Sequence, residues 1–336
     1  MTFWHDLASR ARGLASHLLG ADERREMAGV PDLAGLARAL APTPYGAHLA
    51  TARPSPAGIE EALRRRAARD LGVLARWAGP SRIRLLSVVF EDVDRRSLRA
   101  LVRGAAAGAP SDARLRATLA TPGLPEARLR EAARAPTPEV LAGLLERWDH
   151  PLAPAVGAGL GGARPDLFRV EIELSRLWTA RSVEATRRKD PTLRGFVRDT
   201  VDEENLRTAL ARTRSPRGHG EPPFLVGGRW LERDVFGAAI GAGGPGQVRE
   251  ILGEALAGTP LGSVPGALED RTLEEAILDV GISRTAGESR LRPGGPAPVL
   301  LFVLGLRREV RAIRRLAWAV ELGAPVEERL GGGRAA

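Results

Sequence analysis

Three short stretches set an acid, a small or amide residue, an aliphatic residue and an arginine at one fixed spacing. They are Asp94-Arg-Arg-Ser97-Leu98-Arg99, Asp202-Glu-Glu-Asn205-Leu206-Arg207 and Glu309-Val-Arg-Ala312-Ile313-Arg314. On a helix the residues at +3, +4 and +7 lie within about 60° of the acid. Asp94 then shares a face with Ser97, Leu98 and Leu101, Asp202 with Asn205, Leu206 and Ala209, and Glu309 with Ala312, Ile313 and Leu316. A carboxylate on an apolar stripe is costly to bury unless it is paired. A proton relay or a metal site is the sharp reading of such acids. The structural reading is preferred: each acid anchors a contact between helices, through an arginine.

Other chemistry finds little support in the sequence. There is no cysteine, which excludes disulfides, thiolate metal sites and cysteine nucleophiles. The histidines (His5, His17, His48, His150 and His219) are scattered, with no HExxH and no pair at ligand spacing. Lys189 is the sole lysine and stands in Arg-Arg-Lys-Asp, so no phosphate-binding GxxxxGK[ST] loop exists. No GxSxG elbow occurs. One GxGxxG string, Gly157 to Gly162, follows the Pro151 and Pro154 turn and lacks a preceding strand, so it reads as a loop. The sequence implies no catalytic residue, cofactor or metal.

The elements that must position the acids are helices. Aromatics are 4% of the chain while Ala, Leu and Arg abound, a composition that favours helix over sheet. Apolar residues recur at i, i+3, i+4 from Leu7 to Leu19, with Gly20 as the stop, and again from Ile59 to Ala78, ending at Gly79-Pro80. Further helical patterns cover Leu124 to Arg134, Pro138 to Trp148, Leu167 to Arg188, Leu273 to Leu278 and Pro298 to Leu322. The stretch from Arg212 to Gly228, with Pro222-Pro223, reads as an extended connection.

Asp94 precedes Asp202 by 108 residues, and Asp202 precedes Glu309 by 107. Proline turns at Pro44, Pro151 and Pro260 keep the same beat, as do the helix starts Ile59-Glu60, Val170-Glu171 and Leu273-Glu274. Gly108-Ala-Pro110 and Gly323-Ala-Pro325 end their helices at matching offsets. That period exceeds the ~20–50 residues of helical solenoid units. The pattern predicts an all-α chain of three pseudo-equivalent helical lobes, over 1–110 with the N-terminal helix, 111–216 and 217–336. Leu85 to Phe90 is read as part of the long helix carrying Asp94, since Leu193 to Arg198 runs straight into the Asp202 helix.

Of 336 residues 50 are basic, 49 of them arginine, and the formal charge is +9. A basic nucleic-acid-binding protein is therefore one alternative. The arginines are dispersed and interleaved with acids, as in Arg128 to Arg134 and Arg307 to Arg315, which reads as solvated helix faces and GC-rich coding bias. The longest apolar run, Val299 to Leu304, is far short of the ~20 residues of a spanning helix. No signal peptide is expected, because Asp6 and Arg10 interrupt the N-terminus.

These residues resemble a known family, the C subunit of bacterial and archaeal V/A-type rotary ATPases, equivalent to the d subunit of the eukaryotic V-type pump. The resemblance rests on the opening Ala8-Ser-Arg10-Ala-Arg12 with Leu18-Leu19, on the three acid-x-x-N-L-R-like helices, and on the closing run from Pro298 to Pro325. The signature asparagine stands only at Asn205, with Ser97 and Ala312 in its other two places. The resemblance implies a funnel-like, pseudo-threefold arrangement of lobes with no catalytic centre. It implies a central-stalk role, in which the chain sockets a coiled-coil rotor shaft and its small companion onto a membrane proteolipid ring and passes torque between ion translocation and ATP chemistry. The expected place is peripheral, on the cytoplasmic side, with no membrane span and no nucleic acid. An orphan scaffold of the same fold is the remaining alternative.

Overall fold

The computed structural model describes residues 4–49, 54–160, 165–187, 189–212, 224–266 and 270–329, and among these the chain is helical without a strand. Short helices α1 (His5–Ala15), α2 (Ala21–Ala28) and α3 (Leu33–Leu40) precede α4 (Pro56–Ala106). The helices α5 (Ser111–Arg116), α6 (Glu126–Arg134), α7 (Pro138–Arg147) and α8 (Ala153–Gly157) lead to the long pair α9 (Leu167–Thr186) and α10 (Pro191–Arg212). Two further short helices, α11 (Arg233–Gly241) and α12 (Pro245–Leu256), lead to the long pair α13 (Asp270–Leu291) and α14 (Ala297–Glu321), before α15 (Val326–Arg329).

Local chemistry sets these boundaries. Ser55 caps α4 by accepting from the Gly58 N–H at 3.1 Å, and Pro56 opens the first turn. Asp166 does the same for α9 through Arg169 N–H at 2.9 Å. α4 breaks at Gly79, whose φ of 67° no helix contains, and Pro80 starts the second half, as the sequence suggested. Leu85 to Phe90 lies inside that second half and Leu193 to Arg198 inside α10. Gly108 and Gly323 take φ of 63° and 68°. The residue after each returns its N–H to a carbonyl five back, Ala109 to Gly104 at 2.9 Å and Ala324 to Ala319 at 2.8 Å.

The N-terminus departs from expectation. α1 stops at Ala15, and Gly20 opens α2 instead of closing α1, its N–H donating to Glu23 at 2.6 Å. The expected connection from 212 to 228 lies mostly outside the described residues, as do 161–164 of the glycine string. Gly157 ends α8, and Gly159 packs so closely on α9 that a Cβ there would meet Val170 at 2.5 Å.

Apolar burial forms two clusters. The larger joins α1, α3, α4, α6 to α10 and α14, with Leu7, Leu36, Leu63, Leu98, Trp178 and Phe302 all fully buried. The smaller lies among α10 to α13, on Leu206, Phe236, Leu252 and Ile277.

Candidate functional site

Asp94, Asp202 and Glu309 lie on α4, α10 and α14 and are all buried. Asp94 accepts from the Thr121 hydroxyl at 2.5 Å, and its other oxygen lies 3.5 Å from His150 Nε2. Asp202 accepts backbone N–H groups from Arg229 (2.8 Å), Trp230 (3.0 Å) and Leu231 (3.2 Å). Glu309 accepts from the Leu19 N–H with one oxygen and from the Tyr45 hydroxyl with the other. Burial raises all three carboxyls above their ordinary values, and these donors pull the other way. In each case the acid reaches residues just ahead of a short helix pair: Thr121 before α6, Leu231 before α11 and Leu19 before α2. No arginine side chain pairs with any of the three among the described residues; Arg229 meets Asp202 through its backbone N–H. Hydroxyls, an imidazole and backbone amides take that place, because the acids face loop ends whose own donors need acceptors.

The other motif positions also reach out of their helices. Asn205 exchanges two hydrogen bonds with the Leu225 backbone, both 2.9 Å. Ser97 does the same with Leu119, accepting at 3.1 Å and donating at 3.4 Å. Leu98, Leu206 and Ile313 are buried. Arg99 donates to Glu204 at 2.7 Å and to Ser175 on α9. Arg207 lies beside Glu204, whose charge favours its protonated form against burial. Arg314 donates to the Arg116 carbonyl at 2.6 Å. His150 is buried, bonded to the Leu152 N–H at 3.2 Å as well as facing Asp94, while His219 lies outside the described residues.

A larger charged site went unread in the sequence. Asp92 Oδ1 pairs with Arg95 at 2.6 Å, and its Oδ2 pairs with Arg96 at 3.1 Å and with Arg307 of α14 at 3.2 Å. Arg95 and Arg99 both bridge to Glu204 of α10, at 2.9 and 2.7 Å, and the Arg95 guanidinium lies 4.9 Å over the Trp178 ring of α9. Asp199 pairs with Arg229 at 3.1 Å and with Arg284 of α13. Burial alone would raise Asp92 and Glu204; the guanidiniums override it and hold both well below the carboxylate range. Arg307 and Arg311 fall to about 10, chiefly through burial and then through neighbouring guanidiniums.

This corrects the reading of the arginines as solvated. It holds on α6, where Arg130 is 46% exposed, but Arg95 is 0% and Arg307 13% exposed. The signal was present in the spacing: Asp92, Arg95, Arg96 and Arg99 stand at i, i+3, i+4 and i+7, one helix face. Interleaved charge looks the same whether a face meets water or another charged helix.

Among the described residues no group of three or more His, Asp or Glu is placed to hold a metal. Nor is any helix there long and apolar enough to cross a membrane.

The sequence profile of the ATP synthase (C/AC39) subunit family matches residues 7–329. Two curated relatives are the C subunits of the V-type ATP synthase from two strains of Thermus thermophilus. Each is 32% identical over 302 residues, covering 87% of this chain and 88% of the relative. The chain belongs to the ATP synthase (C/AC39) subunit family.

Proposed function

We propose that this chain is a non-catalytic central-stalk subunit of a V/A-type rotary ATPase, socketing the rotor shaft onto the membrane proteolipid ring. The observation that carries the reading is the family match from residue 7 to 329, with near-equal coverage of chain and relative. A part spanning nearly the full length of its V-type relatives is suited to the same mechanical task.

The geometry supports a stiff transmitting body. Long helices from three distant parts of the chain are cross-braced by buried, hydrogen-bonded ion pairs, such as Asp92 with Arg307 and Arg99 with Glu204. Such pairs fix orientation more than they add stability, and torque transfer requires fixed orientation. The three lobes are proposed as pseudo-equivalent, each a set of short helices followed by a long pair, with boundaries near 110 and 216. The shaft with its small companion would enter the opening between lobes, and the opposite face would rest on the polar loops of the ring, on the cytoplasmic side.

The test is reconstitution of membrane ring and soluble head with and without this chain. Without it, ATP hydrolysis in the head should continue while ion movement through the ring stops. Coupled transport that persists in its absence would refute the assignment.

A further inference from the structure

The braced helices leave charge unbalanced at one point. Asp92 serves Arg95, Arg96 and Arg307, and Glu204 serves Arg95 and Arg99, so two carboxylates face four guanidiniums. A guanidinium carries five N–H donors. Among the described residues Arg96 uses one, from Nε to Asp92 at 3.1 Å, and Arg307 uses one, from Nη1 to the same oxygen at 3.2 Å. Their remaining N–H groups have no acceptor there.

Both arginines line a cavity of about 20 Å³ between α4, α10, α13 and α14, together with Thr200, Glu203, Arg207 and Arg284. The space has room for a monatomic ion such as chloride. Two acids line it: Asp199 is paired with Arg229 and Arg284, and Glu203 makes no hydrogen bond or ion pair to Arg96 or Arg307 among the described residues.

We propose that this cavity is a binding site for a compact inorganic monoanion of chloride size, held by the free N–H groups of Arg96 and Arg307. The anion joins α4 to α14 where guanidiniums outnumber carboxylates, and it goes beyond the stalk role, which does not require it. Low dielectric makes an unbalanced guanidinium pair costly and a shared anion correspondingly favourable.

Glu203 tunes the site. Burial pushes its carboxyl up to about 7, against the opposing pull of Arg96 and Arg307. The charged groups around it are Asp92 and Arg96 from α4, Asp199, Glu204 and Arg207 from α10, Arg284 from α13, and Arg307 and Arg311 from α14. Ionised Glu203 puts a negative charge beside the cavity and competes with the anion. If the two exclude each other, halide affinity falls about tenfold between pH 6 and pH 8.

Crystals of the full chain grown in bromide test the placement by anomalous scattering, with a peak expected between Arg96 and Arg307. In solution, melting temperature should rise saturably with chloride or bromide against gluconate at constant ionic strength. Arg307→Met should abolish the halide-specific rise, and Glu203→Gln should keep it while removing its pH dependence. No bromide peak in the cavity, or identical melting in chloride and gluconate, would overturn the proposal. Should Arg307→Met not fold, the wild-type bromide map and halide-specific shift decide the matter by themselves.

Discussion

A buried carboxyl is defined by its donors, and the acids in this chain fall into two kinds. Asp202 is held by three backbone N–H groups, and Asp202→Ala would leave that of Leu231 buried without an acceptor and those of Arg229 and Trp230 part-buried without theirs. The expected cost is about 2–3 kcal/mol in urea unfolding. Asn205→Ala breaks two bonds to Leu225 and should cost about 2 kcal/mol, more than Ser97→Ala, whose bond to the Leu119 carbonyl is long at 3.4 Å. An equal cost for the two would show that the extra length of the serine bond has no energetic consequence. Glu203 is the other kind, a carboxyl with no donor among the described residues. Its folded value of about 7 stands above the ordinary 4.5. The folded state therefore binds the proton more tightly than the unfolded chain. That stabilisation is full below the ordinary value and is lost as pH rises through about 7. It amounts to roughly 3 kcal/mol. Urea unfolding of Glu203→Gln should match the wild type near pH 5 up to the amide's own effect and exceed it at pH 8. A variant that keeps the wild-type pH slope would rule Glu203 out as the source.

At the scale of elements, most of the fold was legible because helix ends are written in few residues. Pro56, Pro138 and Pro298 mark first turns, and Gly79-Pro80 marks the break in α4, all visible from dihedral preferences alone. The N-terminal helix was misread for a reason of the same kind. Leu18 and Leu19 continue the apolar spacing past Ala15, but Leu18 packs against Gly305 of α14 from outside α1, which local periodicity cannot reveal. The partners of Asp94 and Glu309 were hidden likewise, since Thr121 and Tyr45 lie 27 and 264 residues away. The matching ends of α4 and α14 give a test. A Cβ at Gly108 or Gly323 would meet nothing within 4 Å, so substitution strains only the backbone. Gly108→Ala and Gly323→Ala should each cost about 1–2 kcal/mol and by similar amounts. A thermal-melt difference of several degrees between them would show that the two ends are held differently.

Across the whole molecule, the chain closes on itself. Asp94 and Asp202 reach forward to segments that follow them, whereas Glu309 reaches back to Leu19 and Tyr45. Arg329 strengthens that join by donating to the Ala28 and Val30 carbonyls, the first at 3.0 Å. Arg12 does so by donating to the Pro293 carbonyl. Terminal segments ordinarily fray, and their amides exchange through small local openings. Here residues 4–49 share the apolar core of α4 and α14 through Leu7, Leu36, Leu40 and Tyr45, so detaching them exposes core surface at both helices. Native-state hydrogen exchange should therefore find the Leu19 amide opening at the same free energy as the amides of α14. Glu309→Gln, which weakens the acceptor, should lower both together. Leu19 exchanging orders of magnitude faster than α14 would mean that the N-terminal segment opens by itself and that the join carries no load.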